Sequence, residues 1–346
     1  MHDHQSRQPD DTQRDEVSVS QTERQCFAPL VDDAVVLTGP TASGKSSVAI
    51  ELAQMIDGEI LSLDSIAVYR SMDIGTAKPT IEDQKRVPHH LINVVDANED
   101  YSVACYLKAA HEIVADLRSK DRRAIFVGGT PMFLKGVLRG FDPGPPPDWE
   151  FRQAVQRDVE KHGAEALRQR LRQVDPLAAH NIGPNDVRRM IRALEVHHQT
   201  GQQLSHRQVQ FSQARSAAEC FVFAMQVPRD QLHQRINRRV DEMFDAGLVD
   251  EVKALLEKHG TISRTAAQAV GYRELIERFD STAELSDDIQ ETVKEEIKAH
   301  TRQLARRQET WFRSFAEIRP IPAGDGADPK SLAQQIAQCV LSPVGP

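Results

Sequence analysis

At 346 residues, with 40% apolar and 27% charged side chains, the chain can hold two domains and bury a sizeable core. No apolar run approaches the roughly 18 residues that cross a bilayer, and the N-terminus lacks the apolar segment of a signal peptide, so neither a membrane span nor export is expected. The net charge of -8 speaks against a polyanionic partner for the chain as a whole, until its distribution is followed.

Residues 1–33 hold eight acidic and three basic side chains. A stretch so rich in Gln, Ser and Asp cannot bury enough apolar surface to offset its ordering entropy, and it is expected to be a disordered acidic extension. The first predicted strand is the apolar, β-branched run Ala34 to Thr38. A turn follows, formed by Gly39, Pro40, Thr41, Ala42, Ser43, Gly44, Lys45 and Ser46, and beyond it Val48, Leu52 and Met55 share one helical face. Strand, glycine-rich turn and helix in the pattern G-x-x-x-x-G-K-[ST] make a diphosphate cradle. Backbone N–H groups wrap the phosphate oxygens, Lys45 neutralises them and the Ser46 hydroxyl can ligate Mg2+. The helix start adds partial positive charge. The loop does not specify which diphosphate it holds, and a kinase or other NTPase is the default.

Two more strands, 59–64 and 124–128, alternate with helical patterns, which predicts a parallel sheet with helices on its faces. Asp64, Ser65 and Thr130 then fall at carboxyl ends of strands, the edge where ligands sit in open α/β sheets. Asp64 reads either as a carboxylate facing the diphosphate or as a helix N-cap, and Thr130 either as a polar group gathered beside the loop or as the cap of the helix after its glycine turn. The breaker-rich run Phe141 to Pro147 marks the exit from this segment. Residues 142–202 read as an all-helical insertion, broken at Gly163, Asp175 to Pro176 and Gly183 to Asp186. A strand returns at 220–227, followed by helices at about 230–257, 265–278 and 285–314 and a last strand near 318–321. The expected organisation is an α/β core from 34–141 and 203–321, with a tail over 322–346 that ends in a helix of no assigned role.

Basic residues concentrate at 152–192 and 298–319, the second holding six Lys or Arg against two acidic residues. That suffices for several phosphate contacts with a marked salt dependence. Trp311 and Phe312 are expected in the core. Cys26, Cys105, Cys220 and Cys339 form no C-x-x-C pair, which argues against a zinc site or disulfide framework and points to the reducing cytoplasm. A monomer is the default state.

Several blocks in one order carry more than composition can. Gly39 to Lys45, Asp64-Ser65, Tyr69 to Pro79, Pro88 to Leu91 and Val127 to Thr130 are joined by Arg192 to Val196, Arg235 to Met243, Gln268 to Arg273 and Thr301 to Gln308. Over roughly Val35 to Phe315 the chain resembles the tRNA dimethylallyltransferase family, in its bacterial form without a C-terminal zinc finger. The resemblance implies a P-loop NTPase-like parallel sheet with flanking helices plus the all-helical insertion domain. It further implies transfer of a dimethylallyl group from dimethylallyl diphosphate to N6 of the adenosine at tRNA position 37.

In that reading the loop grips an allylic diphosphate together with Mg2+ at Ser46, and no phosphoryl group moves. Asp64 is the general base, and Thr130 positions the amine or the bridging oxygen. Lys45 with Arg235 or Arg239 stabilises the leaving group, the two arginines being spaced i, i+4 on one helix face. The tRNA anticodon stem-loop is assigned to Leu63, Asp64, Ser65, Ile66, Thr130 and Arg152, to Arg188, Arg189, Met190, Ile191 and Arg192, and to the blocks Gln268, Ala269, Val270, Gly271, Tyr272, Arg273 and Thr301, Arg302, Gln303, Leu304, Ala305, Arg306, Arg307, Gln308. Prenylation of free AMP, a small-molecule kinase and a non-catalytic switch protein are the competing readings. The basic insertion favours tRNA over AMP.

Overall fold

A computed structural model describes residues 26–208, 211, 214–279 and 286–342. Strand β1 (Ala34–Thr38) is central, with Val35, Val36 and Leu37 at most 2% exposed. Burying each such side chain contributes about 1.5–3 kcal/mol. The loop leads into helix α1 (Lys45–Met55), then come β2 (Gly58–Ser62), α2 (Ile81–Arg86), β3 (His89–His90), α3 (Val103–Ser119), β4 (Arg123–Gly128) and α4 (Pro131–Arg139). After the insertion the chain returns through β5 (Val222–Gln226) and ends its sheet with β6 (Ile318–Pro322). All pairings are parallel, in the order β3-β2-β4-β1-β5-β6. The short β3 was not predicted, because two histidines beside a proline carry no strand pattern.

The insertion consists of α5 (Trp149–Val174), α6 (Pro176–Asn181), α7 (Val187–Thr200) and the short α8 (Leu204–Arg207). Gly163, at φ 79°, kinks α5 as its position suggests. These helices have their own core, built on Val155, Leu167, Leu171, Met190, Ile191 and Leu194. Glu195 is fully buried and is held by Asp148 N (2.7 Å), Arg152 Nε (2.7 Å), Arg152 Nη2 (2.8 Å) and Arg192 Nη1. Arg192 Nη2 also donates to Pro143 O and Pro145 O, so this cluster fixes the Pro-rich entry strand to both long helices of the insertion.

Beyond β5 the predicted 230–257 helix is two helices, α9 (Arg229–Asp245) and α10 (Leu248–His259), split at Gly247 with φ 94°. The 265–278 segment likewise divides into α11 (Arg264–Ala267) and α12 (Tyr272–Phe279). Helix α13 (Asp287–Phe312) is long and continuous, and α14 (Pro329–Leu341) closes the described chain.

Two expectations about the ends are corrected. Residues 26–33 are packed rather than disordered: Phe27 and Phe141 exchange backbone hydrogen bonds at 2.9 Å, and Leu30 and Val31 are buried. Averaging over the acidic stretch hides this apolar end. Residues 1–25 lie outside the described residues. The segment after Ile321 is no appendage either, since Ala333, Ile336, Ala337 and Val340 of α14 enter the same core as Val48 and Leu52 of α1. Of the two aromatics assigned to the core, Phe312 is buried while Trp311 remains 39% exposed.

Candidate active site

Three carboxyl-terminal strand ends converge. The loop after β1 holds Ala42 at φ 63° and Gly44 at φ 87°, an unusual backbone that turns the chain tightly before α1. Lys45 Nζ donates to Pro40 O at 3.2 Å, which folds the ammonium back over the loop. Burial first, and the Arg239 charge second, bring the Lys45 pKa down to about 8 against the partly opposing charge of Asp64. Arg239 reaches the loop from α9, with Nη1 3.4 Å from Thr41 Oγ1, and its own pKa is lowered chiefly by burial. The site therefore concentrates positive charge beneath the loop. A bound anion would relieve this repulsion.

Arg235 is placed elsewhere. It donates to Asp325 Oδ1 at 2.9 Å and lies 3.4 Å from Ala323 O, on the loop before α14. One turn of α9 thus separates an arginine at the phosphate loop from one that ties down the C-terminal segment. The shared helix face was real, but its length exceeds the site.

Facing the loop, Asp64 Oδ1 accepts from Ile66 N (2.8 Å) and Ala67 N (3.3 Å). Asp64 caps no helix, because residues 65–68 form a turn and the next helix, α2, begins at Ile81; its Oδ1 holds that turn instead. Oδ2 makes no hydrogen bond among the described residues and can take another partner. Thr130 stands at the N-cap position of α4, yet its side chain does not cap that helix. Its Oγ1 accepts from Ser65 N at 3.0 Å instead, which joins the β4 turn to the residue beside Asp64. This close approach requires Gly128, where a Cβ would lie 2.2 Å from Leu63 O. Gln308 of α13 spans the remaining gap, its Oε1 accepting from Thr41 N and its Nε2 donating to Gly129 O, each at 2.9 Å.

The IPP transferase family model matches residues 67–315, and the isopentenyl transferase model matches residues 33–93. The chain belongs to the tRNA dimethylallyltransferase family. It is 55% identical to the tRNA dimethylallyltransferase of Rhodopirellula baltica over 93% of this chain and 96% of that one. The Geobacter sulfurreducens enzyme is 40% identical over 82% and 90% of the two chains. The fold agrees with the crystal structure of the tRNA isopentenylpyrophosphate transferase from Bacillus halodurans, at TM-score 0.63 and 35% identity over 89% of this chain and 95% of that one. A eukaryotic dimethylallyltransferase acting on tRNA matches at TM-score 0.69 and 25% identity, over 88% and 77%.

Within this family member the residues assigned to RNA separate into exposed and internal groups. Arg188, Arg189, Gln268, Gln303, Arg306 and Arg307 are exposed. Arg188, Arg306 and Arg307 make no ion pair among the described residues, while Arg189 pairs with Asp186 at 2.8 Å. Arg152 and Arg192, by contrast, are spent on Glu195, and Arg302 donates to Asn237 Oδ1 at 2.6 Å. Leu63, Met190, Ile191, Ala269 and Ala305 are buried core residues, and Gly271 is buried as well. Tyr272 is fully buried, with its hydroxyl on Glu251 Oε1, and Arg273 turns to Glu274 and His300. Family blocks mix surface contacts with the side chains that hold the backbone beneath them. Spacing alone cannot separate the two.

Glu251 was missed. On α10 it accepts from Asp73 N (2.9 Å), Ile74 N (2.8 Å) and the Tyr272 hydroxyl (2.5 Å), bracing the loop that follows Asp64. The same loop is pinned by Lys78, which donates to Tyr69 O, Asp73 Oδ1 and Asn93 Oδ1. A lone Glu on an amphipathic helix gives no sequence signal of such a role.

Proposed function

We propose that this chain transfers a dimethylallyl group from dimethylallyl diphosphate to N6 of adenosine 37 in the tRNA anticodon loop, yielding N6-(dimethylallyl)adenosine and diphosphate. The observation that carries this reading is a free carboxylate oxygen on Asp64 and the Thr130 hydroxyl set opposite a cationic phosphate loop. As the C1–O bond of the donor breaks, its electron pair leaves with the diphosphate, where Lys45, the loop N–H groups and Arg239 offset the growing charge. The N6 lone pair forms the new C–N bond, and Asp64 Oδ2 receives the N6 proton. The target base must leave the anticodon-loop stack to reach Asp64, with Arg188, Arg306 and Arg307 available to the phosphates around it.

The exposed Ser46 hydroxyl is a hard oxygen donor suited to Mg2+, and among the described residues no cluster of three ligating side chains offers a site independent of substrate. Ser46 would hold the ion, which when bound would supply further charge neutralisation for the leaving group. The remaining steps belong to the side chains above. No helix among the described residues is long and apolar enough to cross a membrane.

The test is incubation with labelled dimethylallyl diphosphate, Mg2+ and either unmodified tRNA or AMP, followed by location of the label. Label on A37 of tRNA is expected. Label on AMP alone, or ATP hydrolysis without prenyl transfer, refutes the reading.

Two predictions follow from the loop's charge. Arg239→Ala should raise the donor KM and lower kcat, about 10- to 1,000-fold combined in kcat/KM, because it removes charge from the leaving group. Arg235→Ala should leave kcat/KM nearly unchanged and act on thermal stability instead. Equal effects of the two substitutions on kcat/KM would contradict the placement of Arg239. The second concerns pH. With the Lys45 pKa at about 8 in the free enzyme, kcat/KM for the donor should fall as pH rises through about 8, where the ammonium loses its proton. At saturating donor, kcat should hold to higher pH, since the bound diphosphate favours the charged lysine. Lys45→Arg should remove the inflection, and a profile that keeps it assigns it to another group.

A further inference from the structure

Gln308 lies on α13, fixed between the buried side chains of Ala305 and Phe312 one turn to either side, and is 8% exposed. An RNA contact needs a polar group that reaches the surface. This amide is turned inward, with one end on Thr41 N and the other on Gly129 O. Thr41 belongs to the phosphate loop and Gly129 immediately precedes Thr130. Gly129 itself has no room for a side chain, since a Cβ there would stand 2.5 Å from Gln308 Nε2 and 3.1 Å from Gly39 O. One planar amide therefore sets the separation between the loop that grips the leaving group and the turn that presents Thr130 beside Asp64.

We infer that Gln308 is a positioning residue for prenyl transfer, holding the diphosphate loop and the Thr130 turn at reacting distance rather than contacting tRNA. The inference rests on the reaction proposed above. Donor and acceptor must be held in register for in-line displacement, and a misplacement of about 1 Å can lower the rate roughly 100-fold.

The experiment compares wild type, Gln308→Met and Gln308→Glu in tRNA prenylation with dimethylallyl diphosphate, alongside tRNA affinity and thermal unfolding. Methionine keeps the length and removes both hydrogen bonds. For Gln308→Met we expect kcat to fall about 10- to 100-fold, with tRNA Kd within about two-fold of wild type. Glutamate keeps the shape and the acceptor for Thr41 but, when ionised, has no donor for Gly129. Its rate relative to Gln308→Met should rise as pH falls, because the neutral acid regains an O–H that can donate. A packing role predicts no such pH dependence.

Wild-type kcat in both variants overturns the inference, and so does a deficit confined to tRNA affinity. If Gln308→Met does not fold, the pH response of Gln308→Glu relative to wild type decides. Failure of the wild-type enzyme to prenylate tRNA falls on the proposed function instead, so the two failures are told apart by one control.

Discussion

Asp64→Asn should lower single-turnover prenyl transfer by about 1,000-fold while tRNA and diphosphate affinity stay near wild type. The substitution keeps volume, and the amide oxygen can still accept from Ile66 N and Ala67 N, so the turn is retained. What is lost is the second oxygen. An NH2 group there cannot accept the N6 proton, and general-base catalysis typically contributes about 100- to 10,000-fold. Asp64→Ala should be at least as slow and should also loosen the turn. Rapid mixing with labelled donor and tRNA, at concentrations saturating for both, checks this directly. A rate within tenfold of wild type for Asp64→Asn would remove Asp64 from the proton transfer.

The second large effect lies far from the chemistry. Glu195→Ala should destabilise the insertion by about 3 kcal/mol, because removing one partner of a buried ion cluster strands the others. Asp148 N, Arg152 and Arg192 lose their acceptor together. Arg192 remains on Pro143 O and Pro145 O, so partial anchoring of the entry strand persists. Donor binding to the phosphate loop should be unchanged, whereas tRNA affinity should fall. Thermal unfolding with and without tRNA measures both parts. An unchanged melting temperature would show that the cluster contributes nothing net. Acid should mimic the substitution. Burial raises the Glu195 carboxyl, hydrogen bonds from Arg152 and Arg192 more than offset this, and its pKa ends below the ordinary value. Its stabilisation is therefore present above the unfolded pKa, near 4.5, and is lost as pH falls through the lower folded value.

Legibility of the sequence followed the range of each interaction. The phosphate loop was plain because its chemistry lies in eight consecutive residues, and β1, β4 and β5 were plain because buried parallel strands are continuous apolar runs. Asp64 and Thr130 were placed at the correct edge by strand ends alone. The roles of Arg152 and Arg192 were not legible, since their acceptor Glu195 lies 43 and three residues away and resembles any helical glutamate. The choice between Arg235 and Arg239 depended on Asp325, which a helical wheel does not contain. Helix boundaries at Gly247 and Gly271 were missed for a simpler reason. A single glycine is tolerated within a helical pattern, and only its positive φ reveals the break.

The sheet order also bears on how the enzyme is made. Strand β1, which carries the phosphate loop, sits between β4 and β5, and β5 belongs to the second half of the chain, as does the α14 helix behind α1. The slot for β1 is thus completed only after most of the polypeptide has left the ribosome, a non-local closure of the kind that folds slowly. A truncated or half-translated product would present the glycine-rich turn without its flanking strand, its arginine or its amide brace. Such fragments should be inert in tRNA prenylation.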